Sequence, residues 1–155
     1  MRNAIVAAVL VCITAVVYMY FGPGAIDRQN PIRIEESFAR ASGKSAKAGA
    51  AFMTIYNRSG QADRLISAKT DAAGMVELHT HMVENDIMQM RKLDSVLVPA
   101  GHTIMAKPHS LHLMLIGLKQ PLKNGENYPL TLSLSDGTDL ELTVAIEQRN
   151  GRHAK

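Results

Sequence analysis

From Asp27 onward, hydrophobic and polar positions follow one another in short runs, and turn-forming residues interrupt them every eight to twelve positions. The runs cover residues 32–38, 51–56, 65–69, 75–82, 87–93, 111–116, 130–134 and 140–146. Several of them alternate with period two, as strands with one buried face do. Eight such runs are enough for two packed sheets, so the pattern predicts an all-β domain of the immunoglobulin-like β-sandwich class.

Two details of the pattern refine this prediction. Asp136-Gly137 separates the last two runs, and this pair tolerates the positive φ of a tight turn, so we expect a hairpin there. The segment 41–50 is small and basic with two glycines, which predicts a loop or a sheet edge.

The first residues have a different pattern. Met1-Arg2-Asn3 precedes an apolar stretch at residues 4–21 that only Thr14 interrupts, so residues 1–26 are predicted to be a signal peptide or a membrane anchor. Arg2 favours a cytoplasmic N-terminus. We therefore expect residues 27–155 to form a domain in the periplasm, tethered to the inner membrane if residues 4–21 are retained.

Composition narrows the function classes. The chain has 155 residues, 46% hydrophobic and 20% charged, which is typical of one globular domain. Its net charge of +3 is small and scattered, which argues against nucleic acid as a partner. The single cysteine, Cys12, lies in the apolar stretch, so the expected exported domain has no thiol. The chain has nine methionines, whose thioether sulfurs are the soft ligands that remain.

Histidine and methionine side chains line one face of two predicted strands. In the run 75–82, alternation places His79 and His81 on the polar face with Met75 and Glu77. In the run 111–116 the leucines point one way, and His112 and Met114 point the other way. Residues at such spacing lie about 7 Å apart along a strand, close enough to converge on a metal ion.

The chemistry of these side chains indicates copper. Met88 and Met90 share a face on the run between the two histidine-bearing strands. Imidazole and thioether ligands, without thiolate or carboxylate, suit Cu(I) better than Zn(II), Mg(II) or Ca(II). The alternative is that the histidines are ordinary surface residues and the methionines fill the core. That alternative leaves the shared face of His112 and Met114 unexplained.

The spacing of four of these residues resembles a known signature. His79, Met90, His112 and Met114 are separated by ten, twenty-one and one residues, which resembles the H-x10-M-x21-H-x-M motif of the PCu(A)C family of periplasmic copper chaperones. The resemblance extends over about residues 32–146, with further landmarks at 38–40, 51–57, 76–79, 98–101 and 112–115. It implies a cupredoxin-like β-sandwich that binds one Cu(I) at an exposed site. It also implies delivery of copper toward a recipient such as the Cu-A centre of cytochrome c oxidase.

Two histidines depart from the family pattern. His109 follows Pro108 and His102 follows Gly101, at positions where family members often carry glycine. These imidazoles could add affinity for Cu(II), or they could be solvent-exposed loop residues. His81, Met75 and Met88 flank the predicted ligands, and Glu77 could hydrogen-bond a ligand histidine. The sequence therefore does not show which of these residues assist the four predicted ligands.

Function classes other than a copper chaperone remain as alternatives. A histidine-ligated copper enzyme, such as an oxidase or a superoxide dismutase-like sandwich, would use several converging imidazoles, but the two methionines favour the reduced ion and oppose redox cycling. A purely structural sandwich is a further alternative. A blue-copper carrier is disfavoured because it requires a cysteine thiolate. No sequence motif of a catalytic site is present, so we expect a chaperone without enzymatic activity. We also expect a monomer, because a small chaperone must present its site to several partners.

Overall fold

The computed structural model describes residues 31–84 and 86–148, and every regular element within them is a β-strand. The predicted signal or anchor segment, residues 1–26, and the tail 149–155 lie outside the described residues. The ten strands are β1 (Ile32–Arg40), β2 (Ala48–Asn57), β3 (Asp63–Lys69), β4 (Ala73–Glu84), β5 (Ile87–Leu93), β6 (Val96–Val98), β7 (Thr103–Ala106), β8 (His112–Leu118), β9 (Asn127–Leu134) and β10 (Asp139–Glu147).

These strands form one hydrogen-bonded sheet that closes on itself like a barrel. The order is β5-β4-β8-β2-β1-β10-β9-β3-β6, with β7 paired to β2. An additional antiparallel pairing of β3 with β4, at Ala68 and Val76, closes the sheet. Nearly all neighbours are antiparallel, and β1 with β10 is the parallel pair. The all-β prediction is therefore confirmed, with the two expected layers joined into a continuous sheet.

Each predicted run corresponds to a strand, and the strand β5 has the predicted bounds. The Asp136-Gly137 turn joins the antiparallel neighbours β9 and β10, with Gly137 at a φ of 90°. The segment 41–50 is a loop whose last residues, Ala48–Ala50, already belong to β2. The short strands β6 and β7 were not predicted, because three or four residues are too few to show an alternation.

The hydrophobic core lies on the inner face of the closed sheet. Leu115, Leu132 and Val144 are fully buried, and Leu130 is nearly so. They belong to three different strands, β8, β9 and β10, so the core joins parts of the chain that are distant in sequence. Burying one such side chain stabilises the fold by about 1.5–3 kcal/mol. The inner residues of β4 and β8 are therefore held firmly in place.

A bulge in β1 changes which residues face outward. The register with β2 shifts between Glu35 and Phe38, and Glu36 within this shift has a positive φ of 51°. One extra residue in a strand reverses the alternation beyond it. Ile32 therefore faces the core before the bulge and Ala39 after it. The reversal turns Phe38 to the outer face.

The hairpin of β4 and β5 extends past the closed part of the sheet. Strand β8 pairs with β4 only as far as His79, whereas β5 continues to pair with β4 out to Glu84. The described residues of the hairpin beyond His81 are exposed, including Met82, Val83 and Ile87. We refer to residues 80–84 and 86–91 as the β4–β5 ribbon.

Among residues 31–84 and 86–148, no helix is long and apolar enough to cross a membrane.

One buried polar side chain fixes the turn after β2. Asn57 is only 1% exposed, and its amide nitrogen donates to the carbonyl oxygens of Gln61 and Val98 at 2.8 and 3.0 Å. Its side-chain oxygen accepts hydrogen bonds from the backbone nitrogen and the hydroxyl of Ser59. The polar atoms of this side chain are thus satisfied by the chain that surrounds it.

We predict that Asn57→Ala lowers the free energy of unfolding by about 2–3 kcal/mol, because it removes the side-chain donor to the buried carbonyl oxygen of Val98 and the acceptor of the Ser59 hydrogen bonds. Urea unfolding followed by circular dichroism measures the change. The matched control is Asn127→Ala, which removes an exposed asparagine and should change stability by less than about 0.5 kcal/mol. Equal losses in the two variants would contradict the role assigned to Asn57.

Candidate metal centre

The predicted metal ligands lie on the outer face of the sheet, where β4 runs between β5 and β8. In the register of β4 with β8, His79 is directly opposite His112, and Glu77 is directly opposite Met114. Directly opposed residues of an antiparallel pair point to the same face of the sheet. The two histidines and Met114 therefore occupy adjacent positions on one surface.

The residues between them define the inner face. Leu78, Leu113 and Leu115 alternate with the predicted ligands and are 4%, 2% and 0% exposed in the core. Burial of these leucines fixes the direction of the intervening side chains because successive residues of a strand point to opposite faces. The sequence alternation predicted this arrangement for both strands.

Two phenylalanines form one wall of the site. Phe52 on β2 lies with its ring centroid 6.4 Å from that of His112, and Phe38 lies 5.2 Å from Phe52. The guanidinium carbon of Arg40 is 5.7 Å from the centre of the Phe52 ring. Phe38 reaches this surface because of the bulge in β1. The wall shields His112 from solvent on the side of β2.

His112 is buried, with 4% of its surface exposed, although it lies on the outer face. Its Nδ1 donates a hydrogen bond to the carbonyl oxygen of Ser110 at 2.9 Å, which leaves the lone pair of Nε2 available. Burial lowers the pKa of His112 below its usual value, and the nearby His81 and His79 act in the same direction. A neutral imidazole is the form that binds a metal ion.

His79 is held by a short chain of charged groups. Its Nε2 donates to a carboxylate oxygen of Glu77 at 2.9 Å, and the ammonium group of Lys92 donates to the other oxygen at 2.7 Å. The hydrogen bond from Lys92, followed by that from His79, lowers the pKa of Glu77. The Nδ1 atom of His79 is buried and has no hydrogen-bond partner among the described residues. This nitrogen is the one that His79 offers to a ligand.

The two thioethers differ in position and exposure. Met114 is partly buried beside Glu77. Met90 is 50% exposed, and its register partner on β4 is His81, whereas the partner of His79 is Lys92. Met90 is thus a diagonal neighbour of His79 on the same face. The structure brings His79, His112 and Met114 together on adjacent positions and places Met90 one step farther along the ribbon.

Further imidazoles surround this group. The ring centroid of His81 lies 5.2 Å from that of His112 and 5.9 Å from that of His109. His79 and His112 are 6.0 Å apart by the same measure. Two imidazoles that bind one metal ion at about 2 Å have centroids roughly 4.5–6.3 Å apart, so each of these pairs has a spacing that one ion can bridge.

The sequence left the roles of His81 and His109 open. Strand alternation places His81 on the face of His79, and the position of His109 just before the strand of His112 places it near the site, but neither signal predicts how close the two rings lie. His102 is different: it is exposed, and its Nδ1 donates to the carbonyl oxygen of Ala100 at 2.7 Å. His102 therefore matches the expectation of a solvent-exposed loop residue.

Among the described residues, no three or more histidine, cysteine, aspartate and glutamate side chains form a group that could hold a metal ion without methionine.

The LpqE-like family model, described as "Putative lipoprotein LpqE-like", matches residues 32–146. A protein of Leifsonia xyli subsp. xyli named "Putative lipoprotein Lxx21020" is 29% identical over 121 residues, which cover 77% of this chain and 72% of that protein. The protein RP573 of Rickettsia prowazekii is 26% identical over 102 residues, which span 56% of its length and 65% of this chain.

Solved structures share the fold. The copper-bound PCuAC domain from PmoF2 has a TM-score of 0.66 at 20% identity, and the match covers 77% of this chain and 95% of that domain. The Cu(I) form of DR1885 from Deinococcus radiodurans has a TM-score of 0.63 at 30% identity, covering 79% of this chain and 81% of DR1885. The apo form of DR1885 is also 30% identical, with a TM-score of 0.61 and coverage of 83% and 88%.

These findings confirm the resemblance to PCuAC domains at the level of the fold. The four-residue ligand motif that suggested the resemblance stays a prediction.

The lowered pKa of His112 predicts a pH dependence of stability in the metal-free chain. Unfolded histidine takes up a proton near pH 6.5, while folded His112 does so at lower pH, so the unfolded state binds more protons as the pH falls below about 6.5. The contribution of His112 to stability is therefore present above pH 6.5 and is lost as the pH falls through the window below it. Urea unfolding at pH 7.5 and at pH 5.5 measures this loss.

The variant His112→Gln should lose less stability than the wild type between those two pH values. Its matched control, His102→Gln, should behave as the wild type does. An equal loss in His112→Gln and in the wild type would contradict the assignment.

Proposed function

This chain belongs to the LpqE-like family, and from that premise we propose that it is a copper chaperone. It binds one Cu(I) ion through His79, Met90, His112 and Met114 and releases the ion to a recipient protein. It acts by binding and ligand exchange, without catalytic turnover.

The observation that carries this proposal is the pair of open imidazole nitrogens. Within the part of the chain that the structure describes, Nδ1 of His79 is buried without a hydrogen-bond partner, and Nε2 of His112 is left available by the hydrogen bond from Nδ1 to Ser110. A buried polar atom without a partner is costly, on the order of 1–3 kcal/mol, unless a ligand satisfies it. A metal ion between these two rings would satisfy both nitrogens.

The remaining donors select the ion. Met114 lies opposite Glu77, adjacent to His112 along β8, and Met90 approaches from β5. Two imidazole nitrogens and two thioether sulfurs form a soft, uncharged ligand set, which favours Cu(I) over harder divalent ions. The carboxylate of Glu77 is occupied by His79 and Lys92, so it orients a ligand and is not itself in the ligand set.

The exposure of the ligands suits transfer. His112 is almost fully buried, whereas Met90 is half exposed on the ribbon. A recipient can replace the exposed thioether first while the buried imidazole still holds the ion. Stepwise exchange of this kind keeps the copper bound throughout.

Two solved relatives support the proposal. DR1885 of Deinococcus radiodurans, 30% identical to this chain, was solved in a Cu(I) form, and the PCuAC domain from PmoF2 was solved with copper bound. By extension, we propose that residues 27–155 act in the periplasm, either free or tethered to the inner membrane by residues 4–21. The recipient proposed is the Cu-A centre of cytochrome c oxidase or another copper-handling protein.

Substitution of the thioethers tests the ligand set. We predict that Met90→Leu and Met114→Leu each lower the affinity for Cu(I) by at least about tenfold, because leucine keeps the volume of methionine and removes its sulfur. The full chain, kept in solution with a nonionic detergent, is titrated with Cu(I) against a chromogenic chelator without oxygen. The wild type should bind one equivalent.

The control for this titration is Met82→Leu. Met82 is a partly exposed methionine of β4 whose register partner is Gln89, on the opposite face of the ribbon from His81 and Met90. This variant should bind Cu(I) as the wild type does. Wild-type affinity in both Met90→Leu and Met114→Leu would show that the thioethers are not ligands and would overturn the proposed site.

Removing Glu77 tests the orientation of His79. We predict that Glu77→Ala lowers the Cu(I) affinity by about tenfold, because His79 then loses the hydrogen bond that fixes its tautomer and ring orientation. The control is Glu141→Ala, which removes an exposed carboxylate from β10. The same competition titration measures both variants, and an unchanged affinity in Glu77→Ala would refute the positioning role.

A further inference from the structure

We propose that His81 and His109 form a second metal-binding position, which takes Cu(II) through imidazole nitrogens. This position lies beside the proposed Cu(I) site and uses none of its four ligands. It is therefore a separate property of the chain, although its interpretation as part of copper handling rests on the proposed function.

The geometry of the two rings fits a shared ion. Their centroids are 5.9 Å apart and their planes are inclined by 53°. Imidazoles that bind one ion at about 2 Å have centroids roughly 4.5–6.3 Å apart, so the spacing of these two rings is compatible with one shared ion. His109 is exposed and His81 is partly exposed, which leaves room for water molecules to complete the coordination of the ion.

The backbone at His109 is held in a conformation that favours glycine. His109 has a φ of +63°, and the backbone nitrogen of Ser110 donates to the carbonyl oxygen of Lys107 at 3.1 Å. Pro108 precedes His109 in this turn, which is the arrangement of a type II turn, where glycine is preferred at the position of His109. The left-handed conformation is unfavourable for a residue with a side chain. The chain thus carries an imidazole at a position where its backbone is strained.

The same loop orients His81. Its Nδ1 lies 3.4 Å from the carbonyl oxygen of Ser110, the oxygen that also accepts the hydrogen bond of His112. Donation from Nδ1 leaves Nε2 of His81 with a free lone pair. His109 is the residue directly before Ser110, and within the described residues neither of its ring nitrogens has a hydrogen-bond partner. The turn at residues 107–110 therefore places the imidazoles of His81 and His109 side by side, and each ring has a nitrogen that can bind an ion.

The donor set determines which ion is bound. Two imidazoles with water and no sulfur suit a nitrogen-preferring divalent ion, and Cu(II) binds such ligands more tightly than the other divalent first-row metals do. The first site has two thioethers and favours Cu(I). The two positions therefore differ in the oxidation state that they accept, and both can be filled in the same molecule.

The test uses the full chain in nonionic detergent. Ag(I), a soft monovalent ion that is silent in electron paramagnetic resonance and does not exchange electrons with Cu(II), first occupies the thioether site. Cu(II) is then added and its binding is followed by electron paramagnetic resonance, in which bound nitrogens split the signal. The wild type should bind one Cu(II) with two nitrogen ligands.

Two variants and one control distinguish the pair from other histidines. His109→Gly removes an imidazole and relieves the strained backbone, so it should unfold at a temperature equal to or above that of the wild type. It should still lose Cu(II) affinity by at least about tenfold. His81→Gln should lose affinity to the same extent, and both variants should still bind Ag(I). The control His102→Ala removes an exposed histidine outside the pair and should bind Cu(II) as the wild type does.

The outcomes separate this inference from the proposed function. If Ag(I) binds but Cu(II) binding is absent, or is unchanged in His109→Gly and His81→Gln, the second position is refuted while the Cu(I) site stands. If Ag(I) does not bind but Cu(II) still depends on His81 and His109, the proposed function fails and the second position stands.

Discussion

The antiparallel register between β4 and β8 is the constraint on which the candidate site depends. A shift of one residue in this register would turn over the side chains of one of the two strands, which would put either His79 or His112 into the core and the neighbouring leucine of that strand on the surface. The burial of those leucines makes such a shift costly, since each contributes about 1.5–3 kcal/mol. The hydrophobic core therefore sets the direction of the polar side chains on the outer face, and the positions of the proposed metal ligands depend on the packing behind them.

Around this register, a few backbone and side-chain groups hold several imidazoles at once. The carbonyl oxygen of Ser110 accepts from His112 and lies near Nδ1 of His81, and Glu77 connects His79 to Lys92. Because one loop oxygen orients two rings, the loop 107–111 and the strand β4 are coupled at this surface. The phenylalanine wall closes the opposite side. The candidate site is thus formed by strands β4 and β8 of the barrel, the loop 107–111 and the first residues of the β4–β5 ribbon.

Much of this arrangement follows from local sequence. The alternation of leucines with His112 and Met114 gave the inner and outer faces of β8, and Asp136-Gly137 marked a hairpin that is present. The motif spacing also pointed to the strands that carry the site. These features depend on residues that are close in sequence, so a pattern of period two or a turn pair is enough to find them.

Other features depend on pairings that no local pattern records. The register that sets Met90 opposite His81, and not opposite His79, follows from the length of the β4–β5 turn. The bulge at Glu36 changes the face of Phe38, because a residue at positive φ inserts one position into the strand. The approach of His109 to His81 requires the left-handed turn at residue 109. Each of these was set by backbone geometry, which the residue types alone did not specify.

The ribbon has a consequence for the motions of the molecule. Beyond His79, β4 pairs only with β5, which is an edge strand, and Met90 stands on that edge. A two-stranded ribbon without a packed face is close to marginal stability in water, so it can fray without opening the barrel. Its amide hydrogens should exchange with solvent far sooner than those of β8. Met90, the proposed fourth ligand, would leave and return as the ribbon frays, while the three proposed ligands on the barrel strands stay in place. The lifetime of a bound ion would then be adjustable independently of the stability of the fold.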